Sequence, residues 1–159
     1  MSKALIAAAT PVASIVATAV ATIVLALLFA SAAMAQTTVF GVWVTEGGLS
    51  HIEIFDCEGQ VCGKFVWFEE PNEEDGTPKV DDENPDEAMQ ARPLMGLQLL
   101  EGFDASGPLA WGGGTIYDPE SGKTYSSTME LKDDNTIEVR GYVLLPIFGR
   151  SQTWTRIVP

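Results

Sequence analysis

The chain has 159 residues and carries 22 acidic side chains against nine basic ones, for a formal net charge of −13. A balance this negative argues against nucleic acid and against anionic membrane surfaces as partners. With two cysteines and one histidine, the composition also makes a structural zinc site improbable.

Residues 1–35 are predicted to be a signal peptide. Lys3 is the only charged residue of this segment, and a long apolar run over about 12–30 follows it. Ala33 and Ala35 are small residues at the two positions that signal peptidase reads, so we expect cleavage after Ala35. The alternative is an uncleaved membrane anchor, because the apolar run approaches the length of a membrane span.

Cleavage would leave residues 36–159 as a single domain, long enough for one hydrophobic core. Removing the +1 of Lys3 from −13 gives this mature chain a net charge of −14. We expect it to be secreted and free of the membrane after the signal is removed. No nucleic-acid partner is expected.

Cys57 and Cys62 are predicted to form a structural disulfide. Four residues separate them, so they do not form the Cys-x-x-Cys motif of thiol redox proteins. An oxidising compartment favours the bridge, and the short loop limits its contribution to about 2 kcal/mol in the chain-entropy model. The spacing suits a hairpin between strands at 51–57 and 62–68.

This hairpin also suggests a register. If Cys57 faces Cys62, then Ile54 faces Phe65 and Ile52 faces Trp67. These four apolar residues would share one inner face, with the disulfide on the outer face. They are Ile52, Ile54, Phe65 and Trp67.

Residues 69–87 interrupt the strands with ten acidic residues, one lysine and three prolines, for a net charge of −9. Strands cannot run through so many prolines, so this segment is predicted to be a long loop outside the sheet. A solvated acidic loop is the preferred interpretation. The alternative is a calcium-binding loop that uses Asp81, Asp82, Asn84 and Asp86, although the spacing is not that of an EF-hand. We assign no metal ligands and expect no cofactor.

The loop is predicted to contain one short helix that starts at Asn84-Pro85-Asp86-Glu87 and ends before Pro93. Asn84 suits the N-cap, Pro85 the first helical position, and the two acids the positive end of the helix dipole. Arg92 is the basic residue nearest this loop. We expect it to pair with Asp82, Asp86 or a neighbour, and the alternative is that it binds the carboxylate of a ligand.

The second half of the chain reads as strands joined by turns. Residues 111–131 form two arms around the turn at 118–122. In the second arm Tyr125, Ser127, Met129 and Leu131 alternate onto one face, which indicates a half-buried strand. Further strands are expected at 136–145 and 150–158. The total is about eight antiparallel strands with one short helix, which favours an all-β, small closed or nearly closed barrel.

Several motifs in order resemble a bacterial secreted family, domain of unknown function 2147. They cover most of the mature chain and are Gly41-x-Trp43, Cys62-Gly63-Lys64, Asn84-Pro85-Asp86, Arg92-Pro93-Leu94-x-Gly96, Trp111-Gly112-Gly113-Gly114-Thr115-Ile116-Tyr117-Asp118-Pro119, Ser121-Gly122-Lys123-Thr124-Tyr125 and Gly149-Arg150-Ser151-Gln152-Thr153-Trp154-Thr155-Arg156. Gln90 stands where the family usually has an arginine. The resemblance implies a lipocalin-like β-barrel in the periplasm and supplies no activity.

Barrels of this kind place a Gly-x-Trp at the start of the first strand and an arginine of the last strand over that tryptophan. Trp43 and Arg156 match these positions. The resemblance therefore implies a barrel-closure role for both, in which a guanidinium over an indole contributes about 1 kcal/mol.

No catalytic constellation stands out: there is no nucleophile elbow and no phosphate-binding glycine loop, so we expect a protein that is not an enzyme. An eight-stranded barrel can hold one small ligand in its mouth, and an apolar or amphipathic ligand is the preferred partner. The predicted ligand-binding residues are Trp67, Trp111, Tyr117 and Tyr125, with Arg92 near the rim.

Two alternatives remain open. These aromatic residues could be ordinary core in a barrel filled by its own side chains. The protein could also be a non-catalytic envelope interaction or structural protein that uses the acidic loop 69–87 as its contact surface.

Overall fold

Eight antiparallel strands in sequence order close into one barrel, in a computed structural model that describes residues 38–157. The strands are β1 (Gly41–Val44), β2 (Ser50–Cys57), β3 (Gln60–Phe68), β4 (Gln98–Gly107), β5 (Ala110–Asp118), β6 (Lys123–Asp133), β7 (Thr136–Tyr142) and β8 (Gly149–Arg156). The predicted all-β, eight-stranded antiparallel barrel is confirmed. The predicted signal peptide lies outside the described residues. Between residues 38 and 157, no helix is long and apolar enough to span a membrane.

The predicted helix in the acidic loop is wrong. Within residues 38–157 the helical content is one 3-10 turn over Pro146–Phe148, in the connector between β7 and β8. After Asn84 the chain makes successive turns, in which Met89 N donates to Asp86 O at 2.9 Å and Arg92 N donates to Met89 O at 3.0 Å. Nine residues before a proline give too few bonds to offset helix nucleation.

The β2–β3 hairpin is two residues out of the predicted register. Cys57 lies opposite Gln60, and Phe55 lies opposite Cys62. A two-residue turn sets this register, because Glu58 and Gly59 both have positive φ, as tight hairpin turns require. The predicted Cys57–Cys62 disulfide is confirmed, and it joins the two strands diagonally with the Cα atoms 5.9 Å apart.

A β-bulge in the same hairpin turns Trp67 away from the interior. Ile52 pairs with Phe65, but His51 pairs with Trp67, so Val66 is an extra residue in β3. Ile52 and Phe65 are buried, as predicted, whereas Trp67 is 41% exposed and stacks on His51 at 4.2 Å. The prediction that Trp67 shares the inner face is therefore wrong.

One end of the barrel is closed by Trp43 and Arg156, and we call it the closed end. The turns at 58–59, 108–109 and 134–135 lie there, together with the start of β1. The guanidinium of Arg156 lies 4.1 Å from the Trp43 ring, and Trp43 Nε1 donates to Val39 O at 2.9 Å.

Arg156 also ties together three separate segments at this end. It donates to the carbonyl oxygens of Phe40 at 2.7 Å, Asp134 at 2.7 Å and Thr38. Gly41 has a φ of +135°, and a Cβ there would approach Arg156 Nη1 to 2.7 Å, so a side chain at position 41 would displace the guanidinium. We call the stacked side chains of Trp43 and Arg156 the plug. It also requires the glycine at position 41, and its residues come from opposite ends of the barrel sequence.

Inward-facing side chains fill the barrel, toward the closed end on β6–β8 and toward the open end on β2 and β4. The largest fully buried ones are Trp43, Trp154, Phe103, Ile52, Ile54, Leu100, Met129, Leu131 and Ile137. In β6 the predicted inner face of Ser127, Met129 and Leu131 is confirmed, since all three are buried.

Candidate functional site

The other end of the barrel, which we call the open end, carries four connections. They are the turn at 45–49, the long loop at 69–97, the turn at 119–122 and the connector at 143–148. The long loop and the connector are the features that could shape a site there.

Inward-facing residues of β8 become exposed toward the open end. Trp154 pairs with Ile137 and is 1% exposed. Two and four residues earlier on the same face, Gln152 pairs with Val139 and Arg150 pairs with Gly141, and both Gln152 and Arg150 are exposed. Because cross-strand partners share a face, Gln152 and Arg150 face inward; Val139 is buried opposite Gln152, whereas Gly141 opposite Arg150 is only partly buried.

Glycine positions confirm which face this is. A Cβ at Gly141 would lie 3.2 Å from Ile116 Cγ2 and 3.7 Å from Tyr125 Cβ, so Ile116 and Tyr125 share the inner face with Gly141. A Cβ at Gly149 would meet the side chains of Tyr142 and Arg140 on the outer face instead. We call the inner wall formed by Ile116, Tyr125, Gly141, Arg150 and Gln152 the cup.

The floor of the cup is the buried core. Ser127 and Met129 are fully buried one and two inward positions below Tyr125. The Ser127 hydroxyl donates to the Arg140 carbonyl at 3.0 Å, so its polar group is satisfied by the barrel wall. The floor of the cup is therefore apolar, and its Ser127 hydroxyl needs no hydrogen bond from a ligand.

The cup is also open on one side. Within the described residues β1 pairs with β8 at two positions, Trp43 with Arg156 and Val44 with Thr155. β1 ends at Val44, so the part of β8 nearer the open end, 149–153, has β7 as its only strand neighbour in the described barrel. This short first strand explains why Gln152 is exposed although it faces inward.

Two hydrogen-bond donors face the cup from β8. Trp154 Nε1 donates to Gln152 Oε1 at 2.8 Å, which leaves the NH2 of that amide as a donor. Within residues 38–157 the Arg150 side chain has neither an ion pair nor a hydrogen bond. The polar side of the cup is therefore donor-rich.

The connector at 143–148 gives the open end an apolar rim. Its large side chains are exposed, with Leu144 the most exposed at 89%, and they are Val143, Leu144, Leu145, Ile147 and Phe148. Arg140 holds the connector from the outer face by donating to Pro146 O at 2.8 Å and to Gly149 O at 3.3 Å.

The long loop is fastened to the outer wall by one carboxylate. Asp81 is fully buried, and Tyr117 Oη donates to its Oδ1 at 2.6 Å. Its Oδ2 accepts from Asn84 Nδ2 at 2.7 Å and from both Nε and Nη2 of Arg92 at 2.7 Å. We call Asp81, Asn84, Arg92 and Tyr117 the Asp81 latch.

Tyr117 faces outward, because it lies opposite the exposed Thr124 while its neighbour Ile116 faces inward. The latch therefore covers the outer surface of β5 rather than the interior. The Arg92 guanidinium also lies over the Tyr117 ring at 5.5 Å.

The electrostatics of the latch favour a charged Asp81. Burial raises its pKa, but the hydrogen bonds from Tyr117, Asn84 and Arg92 outweigh burial, so the pKa of Asp81 lies below its usual value. Burial and the Asp81 carboxylate raise the pKa of Tyr117 above its usual value. Tyr117 thus stays protonated and donates to an ionised carboxylate at neutral pH.

The turn at 119–122 packs closely against this loop. Gly122 has a φ of +65°, and a Cβ there would collide with the carbonyl oxygen of Glu83. A crevice of about 320 Å³ lies between loop and turn, lined by Glu73, Lys79, Val80, Asp82, Glu83, Leu94, Pro119 and Glu120. Its acidic, open character does not suit an apolar ligand.

The structure scatters the five predicted ligand-binding residues. Tyr125 lies in the cup, and Trp111 faces inward opposite Met129, in the closed-end half. Arg92 and Tyr117 come together, but around Asp81 on the outer wall, and Trp67 lies outside on His51.

Sequence reasoning missed Ile116, Arg150 and Gln152. Counting back in twos from Trp154, the aromatic residue of the last strand, would have placed Gln152 and Arg150 on its face. Their exposure could not be read the same way, because it depends on where β1 ends.

The predicted pairing of Arg92 with an acid of this loop is confirmed, and the partner is Asp81, the neighbour of Asp82. Asp82 and Asp86 are exposed, whereas Asp81 is buried, so a loop interpreted as solvated holds one buried carboxylate. Gln90, at the position where the family usually has an arginine, donates to Asn84 O at 2.9 Å. No group of three or more His, Cys, Asp or Glu residues in the part of the chain that the structure describes is placed to hold a metal ion.

Comparison with known proteins places the barrel in a family. A family model described as an uncharacterized protein conserved in bacteria, DUF2147, matches residues 41–156. No curated protein matches the chain. Among solved structures, the chain is similar to protein HP1028 from the human pathogen Helicobacter pylori, described as belonging to the lipocalin family. The two are 23% identical, with a TM-score of 0.67 over 76% of this chain and 84% of that one, so the likeness concerns the fold.

Proposed function

The chain belongs to the DUF2147 family of uncharacterised bacterial proteins and folds as a lipocalin-like barrel, and from this premise we propose that it is a non-catalytic protein that binds a small apolar or amphipathic molecule in the cup. Small-ligand binding is the kind of function that such a barrel suggests. We further propose that it acts in the periplasm after loss of residues 1–35.

One observation carries the proposal: along β6–β8 the inner face is buried toward the closed end and becomes exposed toward the open end. Trp154 is buried on this face, whereas Gln152 and Arg150, two and four residues nearer the open end, are exposed. The inner wall of Ile116 and Tyr125 stands above a buried floor of Met129, beneath an apolar rim. A concave, largely apolar wall with a few polar groups is what small-molecule sites share.

Replacing Tyr125 by Ala in residues 36–159 tests this site. N-phenyl-1-naphthylamine, an uncharged fluorescent apolar probe, should bind the wild type with increased emission. We expect Tyr125→Ala to weaken probe binding about tenfold, because a large aromatic wall is lost, while costing less than about 3 kcal/mol of stability, since Tyr125 is only partly buried.

Tyr142→Ala is the matched control. Tyr142 lies opposite Ser126, which alternates with Tyr125 and is exposed, so it carries the same aromatic group on the outer face of the neighbouring strand. It should leave probe affinity unchanged. Equal loss in both variants, or no binding by the wild type, would count against the cup and favour an envelope-interaction role.

A further inference from the structure

Resting on the proposed function, we propose that the cup selects amphiphiles with an anionic head group, which Arg150 and Gln152 bind at the open end while the alkyl chain lies on the apolar floor. The chemistry of β8 narrows the ligand class.

The first step is the position of Arg150. Arg150 lies opposite Gly141, and a Cβ added at Gly141 would point at Ile116 and Tyr125. Because paired residues share a face, Arg150 projects from the cup wall and not from the outer surface. Its neighbour Ser151 faces outward and accepts a bond from Arg140 Nη1 at 2.9 Å, as alternation along a strand requires.

The second step is that the Arg150 guanidinium has no acidic partner within the described residues. The sequence holds 22 acidic residues and nine basic ones, and the guanidinium of Arg92 is held by a carboxylate. Those of Arg140 and Arg156 are held by carbonyl oxygens. Within residues 38–157 Arg150 has neither kind of partner. Asp118, at the open end of β5, accepts hydrogen bonds from Ser121 Oγ at 2.6 Å and from Glu120 N at 3.1 Å.

The third step is the orientation of Gln152. An indole N–H can only donate, so its bond to Gln152 Oε1 fixes which end of the amide is the acceptor. The amide NH2 is left beside Arg150 on the same face, two residues away. Two sets of donors with no free acceptor between them match a carboxylate or phosphate, and a guanidinium fork suits either group.

The fourth step is the apolar remainder. Val139, opposite Gln152, and Met129, opposite Val139, are both buried, and the rim is the apolar connector. A free anion would leave this surface uncovered, whereas an alkyl chain attached to the anion would cover it. The charge and the apolar wall therefore point to one molecule that carries both.

Competition against bound N-phenyl-1-naphthylamine tests the selection, using decanoate, decyl phosphate and decanol at the same chain length. For the wild type we expect at least one anion to compete about fivefold better than decanol, the size of a solvent-accessible ion pair of about 1 kcal/mol. The ratio of decanoate to decyl phosphate distinguishes a fatty-acid carboxylate from a phosphate head. The advantage should shrink in higher salt.

Arg150→Gln should abolish the advantage of the anions and leave decanol unaffected, and Arg150→Lys should retain most of it. Lys132→Gln is the control, since it removes one positive charge from a lysine that contacts Glu130 on the outer wall. If the probe binds the wild type but anions and decanol compete equally, the anion proposal is overturned and the proposed function stands. An anion preference that persists in Arg150→Gln also overturns it. If the probe does not bind the wild type at all, both proposals fail.

Discussion

Asp81 shows how one buried carboxylate can organise a loop of otherwise exposed acids. Its neighbour Asp82 is exposed, yet Asp81 is fully buried and bonded to three side chains from the loop and β5. Burying an ionised carboxylate is costly unless its oxygens are satisfied, and here both oxygens accept. The latch therefore fixes the loop against the barrel wall, although the acidic side chains of the loop repel one another.

We expect Asp81→Asn to lower the free energy of unfolding by about 2 kcal/mol, because hydrogen bonds to a charged group are lost and Arg92 loses its partner. Arg92 is 36% exposed, so solvent limits the loss. Asp82→Asn removes the same charge from an exposed neighbour and should change stability by less than about 0.5 kcal/mol. Urea unfolding of the wild type and the two variants measures these free energies. Equal stability of both variants would show that the latch is not a stabilising contact.

The pH dependence of this difference follows from the lowered pKa of Asp81. In the unfolded chain an Asp has a pKa of about 3.9, which is above the pKa of Asp81 in the folded protein. The stability that the ionised carboxylate contributes is therefore fully present above the unfolded pKa. It is lost as the pH falls from there through the folded pKa. Wild type and Asp81→Asn should therefore differ in stability at pH 7 and converge below about pH 4.

At the scale of strands, the barrel closes through a short seam. β1 has four residues and meets β8 at two paired positions within the described chain, with one further bond from Ile157 N to Val42 O at 2.8 Å. So few ladder bonds leave much of the closure to side chains. Arg156 fills that role by joining Thr38, Phe40 and Asp134 to the face of Trp43.

Replacing Arg156 by Ala should cost about 2–3 kcal/mol, since three charge-assisted bonds and the contact with the Trp43 indole are lost together. Arg150→Ala is the matched change on the same strand and should cost less than about 0.5 kcal/mol, because that side chain is exposed and unbonded within the described residues. Thermal unfolding followed by tryptophan emission gives both values. A loss at Arg150 as large as at Arg156 would contradict this division of roles along β8.

Considered whole, the molecule divides stability and binding between the two ends of one barrel. The closed end carries the indole plug, and the open end carries the cup, the apolar connector and the latched loop. Because the plug and the cup share β8, a rigid closed end positions Arg150 and Gln152 without help from the loops.

A prediction for the whole molecule concerns its maturation. We expect the protein isolated from its native host to be periplasmic, to begin at Gln36 and to carry an oxidised Cys57–Cys62 bridge, because a cleavable signal and a structural disulfide indicate the same oxidising compartment. Intact mass with and without thiol alkylation measures the N-terminus and the bridge, and cell fractionation measures the location. Recovery of a chain with Met1 in the membrane fraction would instead support a retained anchor.

The sequence by itself determined the strand count, the barrel class, the inner face of β6 and the disulfide. Each depends on local chemistry, namely period-two alternation, turn residues with allowed positive φ, and two cysteines close in sequence. The predicted helix failed at this level, because a favourable start at Asn84 does not supply enough helical bonds before Pro93.

Only the tertiary structure decided where the predicted site residues face and what they touch. The bulge at Val66 reverses Trp67 without a sequence signal, and the burial of one aspartate among ten loop acids commits Arg92 and Tyr117 to the latch. The cup likewise depends on β1 ending at Val44, which leaves the open end of β8 without a second neighbour. Burial and openness are properties of the closed barrel, so local patterns in the chain cannot specify them.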